Sequence, residues 1–236
     1  MEKLLNELAD RMKRAYPASL VSVILYGSAA AGEFDKAYSD LNILCVLTRI
    51  TPDELAASEP IFRWWREKGN PAPLLLSEEE VANSTDCFPI EFTDMLERRR
   101  VVHGKDVIEG LEIDRSFYRA QVEYELRSKL IRLRQKAAGV LNDNDLLVTL
   151  MADSESTFLV LARHVLALSG YERPRTRVET VEAAQRHFGV DTAPFETLLA
   201  VREGRSKPGS VEARAVFGRY LAGVQTLVSA VDSLEK

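Results

Sequence analysis

The sequence predicts an α+β protein: a mixed sheet with flanking helices, followed by an all-α helical bundle. Three observations predict it. Short apolar runs at Val21 to Leu25 and Leu41 to Leu47 alternate with helix-patterned segments in the first hundred residues. The period-two apolar pattern fades beyond Asp106. From there on, apolar residues recur at three- and four-residue spacing over long stretches, as helices packed in a bundle require. The division is expected near residue 108, giving domains 1–108 and 109–236.

The opening helix spans Glu2 to Tyr16, with Leu4, Leu5, Leu8 and Met12 on one stripe and Pro17 ending it. The apolar strand Val21 to Leu25 follows, and Gly27-Ser28 breaks it with a turn. A second strand, Leu41 to Leu47, is entered through Ser39-Asp40. Thr51-Pro52-Asp53-Glu54 combines a capping box with proline at the first helical position, so a helix should run from there to about Lys68. Pro73 to Leu76 reads as a short strand, Ser77 with Glu80 as a second capping box, and Phe88 to Asp94 as the next strand. In the second half, Phe117 to Ala137 and Asp143 to Leu168 form long helices, the latter apolar round most of its circumference. Shorter helices are expected at Val178 to Phe188 and Pro194 to Arg202, and a last one, capped by Ser210, at Val211 to Leu234.

Composition narrows the classes of function. In 236 residues, 46% are apolar and 28% charged, the balance of a globular protein rather than a disordered one. No apolar run reaches the length of a membrane span, and Met1-Glu2-Lys3 lacks the basic-then-apolar order of a secretion signal, so the expected location is the cytoplasm. Cys45 and Cys87 offer neither a disulfide framework nor zinc-ligand spacing. A net charge of −5 argues against backbone-driven binding of nucleic acid and favours a small-molecule ligand.

The chemistry concentrates at the two strand mouths. Glycine lets backbone NH groups come close to a ligand, and phosphate oxygens suit such a turn. Alternation puts Asp40 and Asn42 on one face of their strand, with Leu41 and Ile43 on the other. Two side-chain oxygens side by side can hold a hard divalent cation.

This arrangement, Gly27-Ser28, a short spacer, then Asp40-Leu41-Asn42, resembles the nucleotidyltransferase superfamily related to polymerase β. It is similar in particular to the small bacterial branch that includes the aminoglycoside nucleotidyltransferases. The resemblance covers about the first 105 residues. It implies transfer of a nucleoside monophosphate from a Mg²⁺- or Mn²⁺-bound nucleoside triphosphate to a small hydroxylated acceptor. Gly27 and Ser28 would hold the terminal phosphates, and Asp40 and Asn42 the metal. Glu91, in Phe88-Pro89-Ile90-Glu91-Phe92, would be the third ligand or accept the acceptor's proton. Glu155, an acid interrupting the apolar central helix, would help activate the acceptor.

Asn42 departs from the pattern, because the family has a carboxylate there. An amide carbonyl is an allowed oxygen ligand but carries no charge. The alternative reading is therefore a catalytically degenerate member that binds a ligand or a protein partner, as an antitoxin-like module would. A homo-oligomer is also open. The chain lacks, after residue 110, the spaced Arg and His of the helical toxins with which such modules pair.

Other charged residues have plainer explanations. The run Arg98-Arg99-Arg100 reads as a solvated face, and the basic residues between Arg127 and Lys136 spread around their helix. Asp153 and Glu155 sit in an otherwise apolar helix. Because burying a carboxylate without a partner is costly, this patch should meet a cleft, a basic partner or solvent.

Overall fold

In the computed structural model the described residues are 1–32 and 40–234, so Ser39 lies outside them. Contacts divide the chain into two compact units, Met1–Ser116 and Phe117–Lys236.

The first unit is built on four strands, β1 (Leu20–Tyr26), β2 (Asn42–Leu47), β3 (Leu74–Ser77) and β4 (Arg99–Gly104). They lie in the order β3-β2-β1-β4. β1 pairs antiparallel with β2 and with β4, whereas β2 and β3 run parallel, so the sheet is mixed. The parallel pair requires a crossover, and α2 (Pro52–Glu67) supplies it. Thr51 and Glu54 make the expected capping box at its start.

Alternation along β1 and β2 sends their side chains to two cores. Val23, Leu25, Ile43, Cys45 and Leu47 pack with α1 (Glu2–Ala15), through Leu5, Leu8 and Met12, and with Ile61 and Trp65 of α2. On the opposite face, Ile24, Leu44 and Val46 pack with Val81 of α3 (Glu78–Asn83) and with Phe92 and Met95 of α4 (Pro89–Glu97), closed by Ile108. Both faces of the sheet are covered, which is why Val23 to Leu25 and Ile43 to Leu47 read as unbroken apolar runs. At the β4 rim, an added Cβ on Gly104, whose φ is +81°, would lie 2.0 Å from the Val21 carbonyl oxygen. Only glycine fits there.

Two expectations are corrected here. Phe88 to Asp94 is not a strand: it lies at the start of α4, with Pro89 at its first turn. Phe88, Ile90 and Phe92 mimic strand alternation, but Pro89, Ile90, Phe92, Thr93 and Met95 are the buried set, and their spacing is helical. The fourth strand is instead β4, which includes Arg99 and Arg100. Its arginines are tied down at the edge of the sheet, Arg99 to Asp106 at 2.8 Å and Arg100 to Glu2 at 2.9 Å.

The second unit contains, among the described residues, helices and no strand. α5 (Tyr118–Val140), α6 (Asn144–Leu168), α7 (Arg177–Phe188), α8 (Ala193–Arg202) and α9 (Ala213–Asp232) follow in order. α6 is the centre, packed against each of the other four. It buries Leu147, Met151, Phe158, Ala162 and Val165, which explains its apolar circumference. The last helix starts at Ala213 rather than behind a Ser210 cap, because Pro208–Ser210 closes a separate 3-10 turn. No helix among the described residues is long and apolar enough to cross a membrane.

Candidate active site

The site is assembled where β1 leaves the sheet and β2 enters it. β1 ends in Tyr26, and Gly27 turns the chain with φ +78°, a left-handed conformation that costs glycine nothing. The Gly27 NH donates to the Arg98 carbonyl at 3.0 Å, anchoring the turn to the start of β4. The Gly27 carbonyl in turn accepts from Ala30 and Ala31, at 3.1 and 3.2 Å. Among the described residues, the backbone NH groups of Ser28 and Ala29 donate to no carbonyl. Ser28 itself is half-buried.

Antiparallel register sets Asn42 directly across from Tyr26. Both belong to the face of the sheet covered by α4, the face of Ile24 and Leu44. An ideal Cβ on Gly27 would stand 3.3 Å from the Asn42 Nδ2 atom, so the amide rests against the glycine turn. Asp40 is exposed, two residues before Asn42 and separated from it by buried Leu41.

Glu91 is exposed and sits in the first turn of α4, not on a strand. It lies on the sheet face that also carries Asn42, through the packing of Phe92 and Met95 against Ile24 and Leu44. Burial, and secondarily the charge of Glu91, push the Tyr26 phenol up to about 12, so Tyr26 is a neutral hydroxyl at physiological pH. Tyr26 is the residue the sequence reading passed over. Its position, opposite Asn42, emerges only when the strand register is known.

Glu155 is elsewhere. Its side chain is fully buried in the second unit, with Arg202 Nε 3.7 Å from a carboxylate oxygen. Arg202 also donates to the Ala152 carbonyl at 2.5 Å, and nearby Tyr220 shares a 3.0 Å hydrogen bond with Ser154. Neither Glu155 oxygen has a hydrogen-bond partner among the described residues. Burial pushes its carboxyl up to about 8, against the pull of Arg202 and Arg177. A carboxyl with no exposed surface cannot touch an acceptor, so the expected acceptor-activating role is corrected: Glu155 belongs to a buried polar pair. Of the three settings open to this acidic patch, a basic partner is the one adopted at Glu155.

The donor set bears on the metal. Asp40 brings one exposed carboxylate and Asn42 one amide, while β3, the strand beside β2, carries Leu74, Leu75, Leu76 and Ser77 and no acid. Among the described residues no cluster of three or more His, Cys, Asp or Glu side chains is placed to hold a metal ion. Among the described residues these donors do not make up a two-metal clamp of carboxylates. A single Mg²⁺ held by one carboxylate together with ligand phosphates fits them, since that ion is commonly bound by one or two carboxylates.

No family model and no curated protein matches the sequence. Among solved structures, the chain is similar to the spectinomycin adenyltransferase AAD(9) from Enterococcus faecialis, solved with ATP and spectinomycin. The TM-score is 0.58 at 11% identity, over 95% of this chain and 99% of that one. At that identity the likeness establishes the fold, a nucleotidyltransferase-like sheet domain followed by helices.

Proposed function

We propose that this protein binds a nucleoside triphosphate with Mg²⁺ or Mn²⁺ at the β1–β2 mouth and transfers the nucleoside monophosphate to a small hydroxylated acceptor. One observation carries the reading: the Gly27 turn, whose Ser28 and Ala29 amides donate to no carbonyl among the described residues, stands against Asn42 and near Asp40 in sequence, in a fold shared with an adenyltransferase. The Ser28 and Ala29 amides and the Ser28 hydroxyl would bind phosphate oxygens. Asp40 would hold the cation, which would supply charge neutralisation at the triphosphate. Glu91 would accept the proton of the acceptor hydroxyl, and neutral Tyr26 would orient it by a hydrogen bond. We place the protein in the cytoplasm, where nucleoside triphosphates are available.

A second reading has its own support. Asn42 and the acid-free β3 leave the site short of the negative charge that metal-assisted transfer uses, which favours ligand binding without turnover. One experiment separates the two. Each labelled nucleoside triphosphate is incubated with the protein, Mg²⁺ or Mn²⁺ and a panel of aminocyclitols and sugars, and calorimetry records binding in parallel. Labelled acceptor supports transfer, binding with no labelled acceptor supports the second reading, and no binding of any nucleotide sinks both.

A further inference from the structure

The position of Asn42 has a chemical meaning beyond the loss of a ligand. A carboxylate beside a phosphate-binding turn meets the phosphates only through a cation, because it offers acceptors alone and carries their sign of charge. An amide is different. Its NH₂ group has two donors and no charge, so it can hydrogen-bond an ionised phosphate oxygen directly.

The structure puts that NH₂ group at the turn. Among the described residues, Asn42 Nδ2 is the atom nearest the open side of Gly27, 3.3 Å from where a Cβ would be. The register Tyr26–Asn42 fixes the strand positions that hold it there. Ser28 and Ala29 add backbone donors from the same turn, and Ser28 a hydroxyl. The result is a set of uncharged donors at one turn, with the Asp40 carboxylate exposed nearby in sequence and Glu91 acting on Tyr26, across the strand from Asn42.

We infer that Asn42 makes a direct amide-to-phosphate contact in place of a metal-mediated one, so that this chain binds the phosphates of a nucleotide without requiring a divalent cation. The inference rests on the nucleotide reading above and specifies how the phosphates are held.

The test is calorimetric titration of the full chain with ATP, once with Mg²⁺ and once with EDTA, for the parent, Asn42→Asp and Asn42→Ala. A hydrogen bond to a charged group accounts for roughly ten- to hundred-fold in affinity, so both variants should lose about that factor in EDTA. The parent should bind almost equally in the two buffers. With Mg²⁺, Asn42→Asp should recover its affinity and Asn42→Ala should not, because only the former regains a metal ligand. That recovery also shows that Asn42→Asp is folded.

Two results overturn the inference while leaving the nucleotide reading intact: parent binding that disappears in EDTA, or an Asn42→Asp variant that keeps the parent's affinity in EDTA. A parent that binds ATP in neither buffer overturns both. Inorganic tripolyphosphate should compete with ATP in EDTA, because the contact is to phosphate rather than to the nucleoside. Failure to compete counts against it.

Discussion

Replacing Glu155 by Gln should change how the stability of the helical unit depends on pH. In the folded protein the carboxyl is pushed up to about 8, chiefly by burial, whereas its ordinary value is 4.5. As pH rises through 4.5 the unfolded chain releases this proton while the folded chain keeps it until about 8. The folded state therefore binds more protons, and stability falls with rising pH across that window. The slope for one proton is about 1.4 kcal/mol per pH unit, and the full separation corresponds to an upper bound of about 5 kcal/mol. Between roughly pH 5.5 and 7.5 the parent should lose about 2.7 kcal/mol that Glu155→Gln does not lose. Gln cannot ionise, retains the shape of the protonated acid, and leaves Arg202 its bond to the Ala152 carbonyl.

The assay is urea unfolding of both proteins at several pH values. Circular dichroism follows the helices. Fluorescence of Trp64 and Trp65, both in α2, follows the sheet unit separately. Only the difference between variant and parent matters, since other groups titrate in both. If that difference is flat with pH, Glu155 is already ionised in the fold as a salt bridge to Arg202. Gln should then destabilise by about 3 to 5 kcal/mol at every pH, the usual result of breaking one side of a buried pair. That outcome would refute the reasoning from burial.

Three further predictions concern the sheet unit. Gly104→Ala should cost more than about 3 kcal/mol, because its Cβ would press on the Val21 carbonyl in a left-handed backbone, and thermal melting followed by tryptophan fluorescence would show it. An unchanged melting temperature would mean the β4 rim can shift. Gly27→Ala should cost about 1 to 2 kcal/mol in backbone strain and displace Asn42, weakening ATP binding as read by calorimetry. Asp40→Ala should leave stability within about 0.5 kcal/mol, since the side chain is exposed, while removing any added affinity that Mg²⁺ confers on ATP.

Much of the first unit was legible in the chain itself. Val23 to Leu25 and Ile43 to Leu47 are apolar without interruption because both faces of the sheet are covered, and that run is a local property. The capping boxes at Thr51 and Ser77 were equally readable, since a cap is a contact between residues three apart. So was the Gly27-Ser28 turn, where φ demands glycine. Phe88 to Phe92 misled because alternating large residues satisfy a strand pattern and, over so short a run, a helical one too. β4 was hidden by its arginines. An edge strand with charged residues is half-exposed and lacks the apolar signature, and its pairing with β1 and its ion pairs to Glu2 and Asp106 are long-range or cross-element contacts.

Site geometry divides in the same way. The period of two led to the expectation that Asp40 and Asn42 share a strand face, but β2 begins at Asn42 and Asp40 precedes it. That Asn42 lies across from Tyr26 and against Gly27 depends on antiparallel register, which no residue of β2 specifies alone. Glu155 shows the limit most clearly. Its own helix announces only that a carboxylate interrupts an apolar stretch, while Arg202, which comes beside it from α8, decides that it is sealed in rather than open to a ligand. Local pattern determines which elements form and which residues they expose, because hydrogen bonding and alternation act over a few residues. Whether a polar group becomes a site or a buried pair is decided by what packs over it, and that partner is supplied by a distant part of the chain.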